Sequence, residues 1–348
     1  MEMENNKNYK ICSKTVMDTS DPEIKFDKEG ISNYFWDFQN KIKPNWPYLH
    51  NGKEKLNKLI NKIKSDGINK EFDCILGLSG GMDSSYMLHL AVNEYGLRPL
   101  VFHVDGGWNS DSAVSNINNL VDSLGVDLYT EVINWNEMRD FQLSMFKAGV
   151  PHLDIPQDMA FISVLYKFAE KYKIKHILNG GNISTESISA PVKILYWGSD
   201  FTQVKDILSK FGTVSMRTYP FTSIYYHKIY LRYIKKIKVH KILNYREYNK
   251  TKAENLLKRN YSWKPFSQKH FESRFTKFFE GYWLPKRFGW DMRRRQFSSL
   301  ILSNQMTREN ALKELEKLPY NKDKIKQDFK YIATKLGITS EELKHYLS

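Results

Sequence analysis

The segment Ser79-Gly80-Gly81-Met82-Asp83-Ser84 concentrates more potential chemistry than any other stretch of the chain. It places two glycines, two hydroxyls and one carboxylate directly after the apolar run FDCILGL, and Ser85 adds a third hydroxyl. Adjacent glycines permit positive φ and close approach of backbone to a ligand. Successive amides that lead into a helix N-terminus converge on an anion, and Ser79, Ser84 and Ser85 can donate to phosphate oxygens. A carboxylate beside a phosphate makes electrostatic sense when a divalent cation lies between them, so Asp83 points to magnesium. No lysine follows the glycines, which excludes the GxxxxGK[ST] loop of kinases and GTPases.

Two other glycine-rich texts stand at expected strand ends: Phe102-His103-Val104-Asp105-Gly106-Gly107-Trp108, and Asn179-Gly180-Gly181-Asn182 followed by Thr185 and Glu186. Gly180 and Gly181 again let backbone approach a ligand. A third concentration lies near the C-terminus, where His270, Glu272, Ser273, Arg274, Lys277, Tyr282, Asp291 and Arg293 to Arg295 crowd together. Guanidinium groups grip phosphate or carboxylate in a bidentate manner.

The elements that must carry these groups follow from periodicity. The run 72–78 reads as a buried parallel strand, and Met87, Leu88, Val92 and Tyr95 give helical spacing over 84–95. Strands are expected at 99–104, 128–133 and 176–178, with helices at 113–124, 136–146 and 159–172 between them. This alternation predicts an α/β fold, a doubly wound parallel sheet with right-handed crossovers and ligands beyond the carboxyl ends of its strands. From about residue 190 the rhythm fades into aromatic and basic text, which reads as a helical second region. Thr339 with Glu342 is a capping-box pattern for a last short helix reaching about Leu347. The expected organisation is an N-terminal extension over 1–50, a nucleotide-binding α/β domain over 51–220 and a helical, basic region over 221–348.

The chain of 348 residues carries a net charge of +14, and residues 201–300 hold 23 Lys plus Arg against 6 Asp plus Glu, a local net of +17. That field suits an anionic partner. The polar start MEMENNKNYK lacks a signal-peptide core and no run reaches a membrane span, so the expectation is a cytoplasmic protein with no membrane partner. Cys12 and Cys74 are the two cysteines, and no disulfide framework is implied.

SGGxDS after an apolar strand resembles the PP-loop of the ATP pyrophosphatase superfamily, whose members cleave ATP to AMP and pyrophosphate. That resemblance makes ATP and Mg²⁺ the expected cofactors and places His103, Val104 and Asp105 where superfamily members touch adenine and ribose. The stretch ICSKTVMDTSDPEIKFDKEGISNYF, the loop, HVDGGWNS, NGGNISTES, HFESRFTKFFEGYWLPKRFGWDMRRRQFSSLI and QMTREN together look like the N-acetyl sugar amidotransferase family of the WbpG and PseA type. The likeness spans nearly the whole chain. It implies conversion of a sugar acetamido group to an acetamidino group in surface-polysaccharide or nonulosonic-acid synthesis, with nitrogen supplied by a separate glutaminase. An anionic or nucleotide-linked N-acetyl sugar is the implied substrate. The resemblance then gives Asp83, Ser84, His270, Glu272 and Arg274 as candidates for the chemistry, and Trp108, Glu186, Lys277, Arg293 and Arg294 as candidates for holding the sugar. Two CxxC pairs usual in the family are replaced by Cys12, Thr15, Ser32 and Phe35, so no structural zinc is expected there. Packing by Phe35, Trp36 and Phe38 is the expected substitute. Residue 2 is Glu, not the Cys of an N-terminal nucleophile, and Cys74 lies in a strand, so ammonia is expected from outside. A tRNA-modifying enzyme fits the charge but not the shortage of cysteines, and a non-catalytic nucleotide-binding protein is the third reading. Nucleic acid is therefore an unlikely partner on this sequence.

Overall fold

The computed structural model describes residues 9–196 and 200–347. Glu2 and most of the polar start lie outside them. Five parallel strands form one sheet in the order β3-β2-β1-β4-β5, with β1 Cys74–Gly77, β2 Pro99–Asp105, β3 Leu128–Val132, β4 His176–Leu178 and β5 Lys238–His240. The period of two sorts the central strands β1, β2 and β4 between two cores. Cys74 and Leu76 face one side with Val101 and Leu178, covered by helices Gly52–Asp66, Met82–His89, Asp111–Leu124 and Lys250–Tyr261. Ile75 faces the other with Leu100, Phe102 and Ile177, beneath Trp135–Lys147 and Ile155–Lys171. Helices on both faces explain why the strands read as unbroken apolar runs.

The expected α/β architecture is the one observed, with two local differences. Helix Ile155–Lys171 starts four residues earlier than the apolar spacing suggests, because Pro156 sits in its first turn, where the missing N–H loses nothing. The region expected to be wholly helical contributes β5, whose Lys238, Val239 and His240 pair with His176, Ile177 and Leu178. The capping signal at Thr339 is real: its hydroxyl accepts from the Glu342 amide at 3.0 Å, opening helix Ser340–His345. No helix among the described residues is long and apolar enough to cross a membrane.

The N-terminal extension is held in part by the packing expected of it, with Cys12, Val16, Met17 and Ile31 buried along with Phe38. Phe38 is buried and Phe35 half-buried, but Trp36 is 42% exposed and anchors nothing in the core. The C-terminal region also grips the segment through polar groups. Arg294 pairs with the buried Asp18 at 2.9 Å and donates to the Val16 carbonyl, Arg308 donates to the Cys12 and Thr15 carbonyls, and Ser298 accepts from the Val16 amide.

Candidate active site

The strand order jumps from β3 on one flank to β4 on the other side of β1, so the loops after β1 and β4 diverge at a topological switch point. The β1 loop is the glycine segment. Gly80 has φ +78°, and a Cβ there would lie 2.5 Å from the Ala113 carbonyl oxygen, so glycine is required. Its carbonyl accepts from the Trp263 indole at 3.0 Å and the Asn116 amide at 3.1 Å, fixing the loop from behind. In front, Ser79 Oγ meets Ser84 Oγ at 3.1 Å and accepts from the Gly81 amide. The β4 loop packs against this one so closely that a Cβ on Gly180 would come 3.0 Å from the Asp83 backbone.

Both loops open into a cavity of about 580 Å³, whose wall includes Ser79, Gly81, Asp83, Ser84, His103, Val104, Gly180, Gly181, Glu186, His270 and Glu272. Lys269 joins the loops electrostatically. Its ammonium contacts Asp83 and lies 2.8 Å from Glu186, while the Tyr248 hydroxyl donates to the other Asp83 oxygen. Burial opposes the Lys269 charge, but Asp83 and Glu186 outweigh it and hold the ammonium above its ordinary range. Glu186 is pushed up by burial and pulled further down by Lys269, to about 2. Two carboxylates that already share one cation form a donor set suited to magnesium beside a phosphate.

Glu272 reaches the loop itself, accepting from Ser79 Oγ at 3.0 Å. His270, in a left-handed conformation at φ 67°, directs Nδ1 to Glu280 at 2.9 Å; burial opposes its proton, but Glu280 prevails and raises it to about 9. His103 is held neutral. Its Nδ1 donates to the Leu78 carbonyl, its Nε2 accepts from Asn109, and burial lowers its proton affinity.

Several residues singled out in the sequence lie away from the cavity. Ser85 is fully buried on the covered side of its helix. Asp105 locks its own turn by accepting from the Gly107 amide and Asn109, and Asn182 caps helix Ile183–Glu186. Trp108 is 1% exposed and packs on Trp135 and Phe275. Arg274 and Lys277 both bind Asp328, at 2.5 and 3.1 Å, with the Arg274 guanidinium over the Tyr331 ring. Arg293 pairs with Asp291 and donates to the Glu314 and Lys317 carbonyls, and Arg294 holds the N-terminal segment. These guanidinium and ammonium groups are engaged within the protein, so the structure does not bring them to the site. The Lys and Arg side chains that do line it are Lys250, Lys269 and Arg295, beside the protonated His270. The sequence reading passed over His152, Asp154, Gln157 and Asp158, also in the wall. Their signal was the polar density of HLDIPQD within apolar text, which reads equally well as a helix start. Cys12 and Cys74 are both buried and neither lines the cavity.

A parallel sheet with SGGMDS at its switch point has the arrangement that the sequence led us to expect of a PP-loop nucleotide site. Residues 272–348 match the family model described as LPS biosynthesis protein WbpG-like, C-terminal domain. No curated protein matches the chain. Among solved structures it is similar to an NMN synthetase from Francisella tularensis (15% identity, 62% of this chain and 97% of that one, TM-score 0.31). It is also similar to an NH3-dependent NAD synthetase from Campylobacter jejuni (13%, 61% and 93%, 0.32) and a U34-tRNA thiolase from Methanococcus maripaludis (14%, 76% and 80%, 0.32).

Proposed function

We propose that this chain is an ATP-dependent amidotransferase that converts the acetamido group of an N-acetyl sugar to an acetamidino group through an O-adenylated intermediate. One observation carries the reading: Glu272, the first residue of the WbpG-like segment, hydrogen-bonds to Ser79 of the glycine loop, so the segment that matches a polysaccharide-biosynthesis domain builds the wall of the ATP-using site. The buried thiols support nitrogen transfer over sulfur transfer.

The chemistry balances as follows. The acetamido oxygen attacks the α-phosphorus of ATP, the bond to the β-phosphoryl oxygen breaks, and pyrophosphate leaves while the amide N–H proton is lost. Ammonia then adds to the imidate carbon, one of its protons moves to the sugar nitrogen, and the C–O bond breaks with its electrons on AMP. The product is an amidinium. Loop amides with the Ser79 and Ser84 hydroxyls hold the departing pyrophosphate, and Lys250, Lys269 and Arg295 offset its charge. Magnesium, for which Asp83 and Glu186 are the fitting carboxylates, would supply further neutralisation there. An anionic or nucleotide-linked sugar matches the cations Lys250, Lys269, Arg295 and His270 in the wall.

The test is AMP and pyrophosphate formation with ammonium chloride and a panel of nucleotide-linked N-acetyl sugars, against the same sugars without the acetyl group. Turnover that requires the acetamido group supports the proposal, and turnover indifferent to it refutes it. We further expect ammonium salts to sustain this reaction and glutamine to fail until a separate glutaminase is added. Glutamine-dependent turnover by the purified chain would contradict the external supply.

A further inference from the structure

The cavity has a second end, remote in character from the phosphate loop. Asp154 stands before helix Ile155–Lys171, yet its carboxylate caps no amide. One oxygen accepts from Thr276 Oγ at 2.6 Å and the other from Gln157 Nε2. Neither donor is charged. Asp154 is 7% exposed, and no Lys or Arg is paired with it among the described residues. Its ionisable neighbours are Asp158 and His152; His152 lies 3.5 Å from Asp158, and although burial opposes its proton, Asp158 and then Asp154 hold it above the ordinary imidazole range. Glu280, also 7% exposed and in the same wall, gives one oxygen to His270, while its buried Oε2 has no hydrogen-bond partner among the described residues. Met138, Phe161, Leu165, Leu195 and Phe279 add apolar side chains to the wall.

A buried carboxylate that no Lys or Arg pairs, in the same wall as a buried acceptor without a donor among the described residues, is an expensive arrangement. It is relieved by a small ligand that brings positive charge and several N–H donors. Connection to the loop is continuous, since Gln157 Oε1 accepts from Ser273 Oγ at 3.1 Å and the adjacent Glu272 binds Ser79.

We propose that Asp154, with Thr276, Gln157 and the free oxygen of Glu280, forms a subsite for a small nitrogen cation: ammonium entering the reaction and the amidinium group of the product leaving it. This rests on the amidotransferase reading. Ammonium has no lone pair to attack with. Burial and then Asp158 push the Asp154 carboxyl up to about 7, so near neutral pH it can accept a proton from ammonium. The freed nitrogen pair forms the C–N bond already described, and the proton returns from Asp154 to solvent. The product carries its positive charge where the substrate amide was neutral, and the same two carboxylates then face it.

The experiment uses acetamidinium chloride and ammonium chloride as probes, with sodium chloride at equal ionic strength and neutral acetamide as controls, read as thermal shifts of the full chain. Acetamidinium should raise the melting temperature in a saturable way while acetamide does not. Asp154→Asn should raise the half-saturating concentration at least about tenfold. Should that variant fail to fold, Thr276→Val, which removes a donor that favours the ionised carboxylate, should weaken acetamidinium several-fold. Acetamidinium acting no better than acetamide or sodium, or binding equally to a folded Asp154→Asn, overturns the subsite. Binding of a non-hydrolysable ATP analogue, read in the same scans, reports on the adenylation site separately. Its failure in the wild type would count against the functional reading and not against the subsite.

Discussion

Lys269→Met should lower folding stability by about 3 kcal/mol or more, read by denaturant unfolding at neutral pH without nucleotide. Lys269 is the shared partner of Asp83 and Glu186, whose side chains are 14% and 26% exposed, and methionine fills the space of the lysine stem without its charge. Two carboxylates are then left in the cavity wall without the cation they share, and breaking a buried pair by removing one partner costs about 3–5 kcal/mol. The loss should be smaller at low pH, because burial pushes Glu186 up once Lys269 no longer holds it at about 2, so that it takes a proton earlier. Adding Glu186→Gln should recover part of the stability, and millimolar Mg²⁺ should stabilise the Lys269→Met variant more than the wild type. A variant as stable as the wild type would show that the three charges are not coupled as the geometry has them.

Asp83→Asn should reduce ATP turnover at least about tenfold, equivalent to about 1.4 kcal/mol in the barrier. Asparagine preserves the size of the side chain and an oxygen for the Tyr248 hydroxyl, so the loop backbone fixed by Gly80, Trp263 and Asn116 should persist. What disappears is the negative charge toward a divalent ion on the departing pyrophosphate. The magnesium concentration for half-maximal rate should therefore rise along with the fall in turnover. Wild-type turnover with unchanged magnesium dependence would remove Asp83 from the reaction.

The sheet was legible because its central strands are buried on both faces and so read as apolar runs, and because the glycine loop sits where such a strand must end. β5 was not legible. Its three residues are a lysine, a valine and a histidine inside a basic tract, largely open to solvent, and pairing with β4 rather than local propensity makes them a strand. The loop residues Ser79, Gly81, Asp83 and Ser84 could be placed from local spacing alone, since they lie within six consecutive positions after one strand and all line the cavity. The C-terminal cations could not. Arg294 pairs with Asp18 from the other end of the chain, and Arg274 and Lys277 converge on Asp328 fifty residues away, so their density in sequence reflects the joining of segments. Lys269, one residue before His270, carries no local mark that distinguishes it from its neighbours. Its position between Asp83 and Glu186 exists only after the β1 and β4 loops meet.

The central claim is that ATP activates an acetamido oxygen by adenylation. Amide oxygen is a poor leaving group against ammonia, and transfer of AMP turns it into a stabilised phosphate monoester. With ¹⁸O in the carbonyl of the N-acetyl substrate, mass spectrometry of the products should find the label in the phosphate of AMP, and none in pyrophosphate or water. Label in inorganic phosphate with ADP as coproduct, or in neither nucleotide product, would contradict the account.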